Sequence, residues 1–281
     1  MVKFGCCLPL AYFAEQLKQG GDKNGDVAEQ LALGLDALHR NGYDFAELGV
    51  GTVANLSDDD FEMVKGVIAA ADTKVYAFNS FVPGSIPLTG PDVSVEQIEQ
   101  YVSKALMRVS EVGASYVVFG SGAARKVPEG FPVDRAIEQL LDFLKLCERY
   151  AARYGVTIAI EPLNKGETNI INSVAEGLEL ALKSDQPHIK LLADLYHMLV
   201  EHESFDIIPK AAQHLVHVHI ANRERRYPGY AVEDDEDFMP FFKALKESGY
   251  DGGISAECRF DDFMEESVRS LLYIKQMWQS A

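Results

Sequence analysis

Tyr154-Gly155-Val156-Thr157-Ile158-Ala159-Ile160-Glu161 is the stretch on which the fold turns. A long amphipathic run ends in Gly155, an apolar strand begins two residues later, and a carboxylate follows it. Gly at that place accepts the left-handed conformation that closes a helix. The strand residues are apolar without alternation, the pattern of a parallel strand buried on both faces. The same unit recurs three times: Asn41-Gly42 before Asp44-Phe45-Ala46-Glu47-Leu48, Val112-Gly113 before Tyr116-Val117-Val118-Phe119, and Ser248-Gly249 before Gly253-Ile254-Ser255-Ala256.

Extending this reading outward predicts strands near 2–8, 43–49, 74–80, 115–120, 156–161, 189–194, 215–220 and 252–257. A helix fits after each, near 26–41, 58–71, 94–112, 133–153, 172–184, 203–213, 236–248 and 262–278. Val27, Leu31, Leu35 and Leu38 give one buried stripe at helical spacing, and Ser94 with Gln97 makes a capping box. Eight βα units imply an α/β fold, a single (β/α)8 TIM barrel over residues 1–281, with its chemistry at the C-terminal ends of the strands. The alternative is a doubly wound open sheet. The count of eight, and the lack of Gly-x-Gly-x-x-Gly after the first strand, favour the barrel. No linker or low-complexity tract divides the 281 residues, and 47% hydrophobic content supplies a large core.

Twenty-six basic against 43 acidic residues leave a net charge of −17. A surface that acidic repels phosphate backbones and anionic lipid, so neither nucleic acid nor membrane is expected as a partner. No apolar run approaches the roughly 18 residues that span a bilayer. Phe4–Ala14 follows Lys3 like a signal-peptide core, but it contains Pro9 and lacks a clear Ala-x-Ala site, so it reads as the first strand. Cys6, Cys7, Cys147 and Cys258 show no Cys-x-x-Cys spacing, which suits reduced thiols in a cytoplasmic protein.

The ends of the predicted strands are unusually ionisable. The fifth ends on Glu161, the sixth on Asp194 with His197 close behind, the seventh carries His217 and His219, and the eighth ends on Glu257. Three carboxylates on one rim would repel one another without a counter-ion. A divalent cation held by Glu161, Asp194, His219 and Glu257 removes that conflict, and this donor set suits Mn²⁺, Mg²⁺ or Co²⁺. His217 lies two residues deeper on the same face, either as a support for the site or as a satisfied core histidine. Glu47 ends the second strand and is a further candidate for holding substrate hydroxyls. His39, His188, His202 and His214 fall away from the rim.

The combination Glu161-Pro-Leu-Asn164, Glu167, Asn172, Asp194-Leu-Tyr-His197-Met, His217-Val-His219, Arg225-Arg-Tyr-Pro-Gly229 and Glu257 resembles the sugar isomerase/epimerase family with the xylose-isomerase-like barrel. Within it the chain is most similar to the tagatose and psicose ketose 3-epimerases. The resemblance implies one Mn²⁺-like ion on Glu161, Asp194, His219 and Glu257. It also implies proton exchange by Glu161 and Glu257, and substrate binding by His197, Arg225 and Glu167. The partner is then a small sugar, and a homo-oligomer is compatible with it. The sequence departs from the epimerase pattern at Ile220-Ala-Asn-Arg223, where a Gly-Glu pair is usual, and at Cys258-Arg259, where Pro and an aromatic residue are usual.

These residues suit removal and return of a proton next to a carbonyl. Return to the same carbon from the other face epimerises, return to the neighbouring carbon isomerises, and loss of hydroxide dehydrates a keto-sugar or keto-inositol. Two other classes share this barrel: abasic-site endonucleases, which need more histidine ligands and a basic groove, and a non-catalytic sugar-binding barrel. Arg125 and Lys126 lie in a Gly-rich loop that reads as solvated, with a phosphate cradle as the alternative. Leu10–Gly25 reads as a long first loop carrying Tyr12 and Phe13, and Trp278 as a packing residue of the last helix.

Overall fold

The computed structural model describes residues 1–19, 26–230 and 237–281. Its strands are Lys3–Cys7 (β1), Phe45–Gly49 (β2), Lys74–Asn79 (β3), Tyr116–Phe119 (β4), Thr157–Ile160 (β5), Ile189–Asp194 (β6), Leu215–Ile220 (β7) and Gly253–Ala256 (β8). Each pairs in parallel with the next, and β8 returns to β1 through Phe4 opposite Ile254 and Gly5 opposite Ser255. The sheet is therefore a closed barrel, not an open sheet. Every predicted strand is present, its ends displaced by two residues at most.

The helices are Leu10–Gln19 (α1), Val27–Asn41 (α2), Gly51–Ala54 (α3), Asp58–Ala70 (α4), Val95–Glu111 (α5), Gly122–Arg125 (α6), Val133–Tyr154 (α7), Val174–Ser184 (α8), Leu195–Val200 (α9), Ile207–Ala211 (α10), Met239–Glu247 (α11) and Phe263–Ser280 (α12). Gly42, at φ 82°, closes α2 by donating its N–H to the carbonyls of Leu38 and His39, as its position before a strand implied. Ser94 accepts from the Gln97 N–H at the start of α5. The helix expected at 203–213 is the shorter α10, and α11 starts at Met239; position 236 lies outside the described residues.

α1, α3, α6 and α9 were not expected, and each directly follows the C-terminal end of a strand. The predicted loop Leu10–Gly25 is largely α1, while 20–25 lies outside the described residues. Phe13 anchors α1, 3% exposed, edge-on to Phe263 of α12 at 5.4 Å between ring centres. Trp278 packs on the outer core, with Lys246 5.3 Å above its ring.

Two cores result. The larger fills the space between strands and helices, and a small one of Val118, Ala159 and Leu192 lies apart from it. The barrel interior alternates large and small residues. Phe45 of β2 lies over Gly5 of β1, where an added Cβ would come 2.0 Å from the ring. His217 stands against Phe45, Tyr76 and Tyr116, at 6.0, 6.4 and 6.2 Å between ring centres. A register shift between Leu191 and Leu192 brings Asp194 level with His219 on the neighbouring strand. Irregularities of this kind re-aim side chains near functional sites.

Candidate metal and substrate site

Four strands deliver the candidate ligands to one rim. Glu161 follows β5, Asp194 ends β6, His219 lies on β7 and Glu257 follows β8. Each offers one ligand atom, and these atoms all lie within 4.8 Å of one another. His219 Nδ1 is 2.8 Å from Glu161 Oε1, 3.6 Å from Glu257 Oε2 and 4.0 Å from Asp194 Oδ2.

Local structure aims each of them. Asp194 caps α9, accepting the Tyr196 N–H on Oδ1 at 2.7 Å, which leaves Oδ2 for the centre. Gly120, after β4, makes room for Glu161: a Cβ there would come 2.2 Å from Glu161 Oε2. Asn79, at the end of β3, donates to Glu257 Oε1 at 3.4 Å. Underneath, Glu47 takes His219 Nε2 and His217 Nε2, both at 2.8 Å, with all three side chains fully buried. A carboxylate on the far nitrogen of a ligating imidazole fixes its orientation and directs the other nitrogen to the ion.

The electrostatics of this cluster call for a cation. Burial disfavours the His219 imidazolium, but Glu47, Glu257 and Glu161 outweigh it, and the pKa lies well above the usual range. Burial likewise opposes ionisation of Glu161, and the His219 charge overcomes it. Burial pushes Glu257 above the ordinary carboxylate range, with Glu161 and Asp194 adding to the shift. The four side chains thus share too few positive charges, and oxygen-rich donors with one imidazole fit a hard or borderline divalent ion. Cys7, Glu47 and His219 also come within 4.8 Å. Both Glu47 oxygens are already taken, and burial holds the Cys7 thiol protonated.

His197 lies on α9, 3% exposed. Its Nδ1 accepts the Asn164 backbone N–H at 3.0 Å, which puts the ring hydrogen on Nε2. That nitrogen is buried with no hydrogen-bond partner, 3.6 Å from Asp194 Oδ2. An unmatched buried donor is costly in isolation and suits a ligand oxygen. Arg225 bridges Glu257 at 2.5 Å and Glu167 at 3.1 Å, and its guanidinium lies 4.6 Å over the Tyr196 ring. Its backbone is left-handed at φ 59°. Asn222 Oδ1 accepts the N–H groups of Glu224 and Arg226 and folds the loop that presents it. All of the predicted site residues therefore meet at one mouth.

A family profile described as xylose isomerase-like TIM barrel matches residues 35–276. The chain belongs to that family. It is 29% identical over 165 residues, 56% of its length, to 3-dehydro-D-guloside 4-epimerase of Escherichia coli (strain K12). It is 32% identical over 134 residues, 47% of its length, to L-ribulose 3-epimerase of Methylomonas sp. (strain DH-1). The matched stretches span 62% and 46% of those relatives. The solved D-allulose 3-epimerase from Methylomonas sp. in complex with D-allulose superposes with a TM-score of 0.79 at 23% identity, covering 98% of this chain and 97% of that one. Among the described residues, no helix is long and apolar enough to cross a membrane.

Two sequence expectations within this xylose isomerase-like barrel need correction. Glu47 is not a substrate contact: it lies beneath His219, fully buried. Arg125 is neither solvated nor a phosphate cradle. It is fully buried, and its guanidinium donates to the carbonyls of Phe119, Glu161 and Ile171. Burial lowers its pKa to about 10. The supporting roles of Asn79, Asn164 and Gly120 went unread. Asn79 and Gly120 close strands, as the ligands do, and Asn164 stands three residues past Glu161.

Proposed function

We propose that this chain is a divalent-metal-dependent sugar isomerase or epimerase, moving a proton next to the carbonyl of a small keto-sugar. The observation that carries the reading is the convergence of Glu161, Asp194, His219 and Glu257 at the C-terminal ends of β5–β8. The whole of residues 1–281 acts as one barrel domain in this reading. Relatives named as epimerases of a ribulose and of a dehydro-guloside support it.

The four residues would hold one ion, Mn²⁺ in preference to Mg²⁺ or Co²⁺, and when bound it would stabilise negative charge developing beside the substrate carbonyl. Glu161 and Glu257 form the acid/base pair. They come from strands separated by β6 and β7, so one removes the proton and the other returns it to the planar intermediate. His197 donates its Nε2–H to a substrate oxygen. Arg225 and Glu167 hold hydroxyls at the mouth through charge-assisted hydrogen bonds. Four free cysteines support a reducing, cytoplasmic setting.

The test is turnover in deuterated water with Mn²⁺-loaded protein and a panel of keto-sugars. Deuterium should enter the carbon next to the carbonyl, and the product identifies epimerisation, isomerisation or dehydration. No incorporation into any keto-sugar, with metal bound, would overturn the reading.

A further inference from the structure

His217 is fully buried beneath the four candidate ligands without being one of them. The rings of Phe45, Tyr76 and Tyr116 cage it, the last within 13° of parallel. Gly253 stands opposite it on β8, where an added Cβ would come 3.1 Å from His217 Nδ1. That nitrogen is buried with no hydrogen-bond partner. A buried polar atom left unpaired is costly, and an apolar ring would fill the same cage without that cost. Packing alone therefore does not account for a histidine at this position, and His217 is not a satisfied core residue.

Its other nitrogen is fully engaged. His217 donates its Nε2–H to Glu47 Oε2 at 2.8 Å, while His219 donates its Nε2–H to Glu47 Oε1 at the same distance. Among the described residues, the hydrogen bonds to the Glu47 carboxylate come from these two rings. The torsion that turns a carboxylate about its own bond is soft, so a single bond to Oε1 would leave its plane free to swing. Two bonds, to rings 5.3 Å apart and set at 80° to each other, fix both the position and the plane. Residues two apart on a strand share a face, so β7 itself sets the spacing of the two donors.

We propose that His217 is a positioning residue for the metal site. It locks the Glu47 carboxylate, the carboxylate holds the His219 ring, and the ring aims Nδ1 at the ion. That role rests on the metal site proposed above and holds whichever sugar reacts.

Calorimetric titration with Mn²⁺ alone tests it, with no need for turnover. His217→Phe keeps a ring in the cage and removes the Nε2–H, and it should weaken Mn²⁺ binding about tenfold. His217→Gln puts an amide N–H near the lost donor and should recover most of that affinity. In a Glu47→Leu background, which lacks both acceptor oxygens, His217→Phe should cost nothing further, because His217 acts through Glu47. Thermal melting of the ion-free proteins checks that each is folded, and His217→Leu replaces the Phe variant if that one is not. A role in folding alone would move the melting temperature and leave the affinity of the folded protein unchanged. Parental affinity in folded His217→Phe, or the same loss with and without Glu47, would overturn the positioning role and leave the metal site standing. A parent protein that takes up no Mn²⁺ would remove the metal site and the role together.

Discussion

Glu47 holds His219 from below: its Oε1 lies 2.8 Å from His219 Nε2, on the side of the ring away from the three other carboxylates. The ring can turn only by losing that bond, so Nδ1 stays directed at the centre. Glu47→Gln should weaken Mn²⁺ binding by about 10–100-fold with the fold retained. Calorimetric titration measures it, and unchanged affinity would remove Glu47 from the metal site.

Metal uptake should release protons. In the ion-free protein His219 is held protonated by Glu47, Glu257 and Glu161, and burial keeps Glu257 above the ordinary carboxylate range. A cation displaces those protons, so apparent affinity should rise with pH until both groups are deprotonated without it. Mn²⁺ titrated into weakly buffered protein should acidify the solution, and a pH-independent affinity would contradict the charge assignment.

Glu161→Gln and Asp194→Asn should lower metal content, which elemental analysis reads directly. Glu257→Gln that still holds metal should lose proton exchange by about 10²–10⁴-fold. Full exchange in that variant would show that Glu257 is not half of the pair.

Gly120→Ala separates catalysis from folding. The new methyl would come 2.2 Å from Glu161 Oε2, so the carboxylate must move. We expect large losses in both proton exchange and metal affinity, with a thermal midpoint close to that of the parent. An active Gly120→Ala protein would mean that Glu161 tolerates displacement.

Arg125→Met should destabilise by about 3 kcal/mol, because it strands the buried Glu161 carbonyl after β5 and takes one of two bonds from the Phe119 and Ile171 carbonyls. Arg125→Lys should recover little, since an ammonium cannot reproduce the planar fork. Denaturant unfolding measures both. A variant of parental stability that lost only phosphate binding would restore the cradle reading.

The barrel was legible because its strands are buried on both faces, which writes each as a continuous apolar run between a helix-closing glycine and an ionisable residue. α3, α6 and α9 were not legible: four to six residues are too few to show a helical period. Depth inside the barrel was equally hidden. Glu47 closes its strand just as Glu161 does, and only the stagger of the closed sheet, with the register shift at Ala46 and Glu47, sinks it beneath His219. Arg125 looks like any loop arginine until three chain segments place their carbonyls around it. His197 was placed near the site by its position just behind Asp194 and given a substrate role by resemblance, but its bare Nε2–H emerges only once Asn164 is seen on the other ring nitrogen.

The pairing of β1 with β8 has a consequence for how the protein assembles. Cys7 and Ser255, 248 positions apart, approach within 3.6 Å, and Glu257 stands just beyond that seam. Such distant pairings form late and slowly, because the intervening chain must lose its freedom before the contact forms. A folding intermediate with seven strands in place would already gather Glu161, Asp194 and His219 but would leave Glu257 adrift. β8 also pairs with β7, where His219 lies opposite Ser255, so docking of this last strand brings Glu257 to the other three ligands, and a metal ion that needs all four residues would favour the eight-stranded chain over a seven-stranded one.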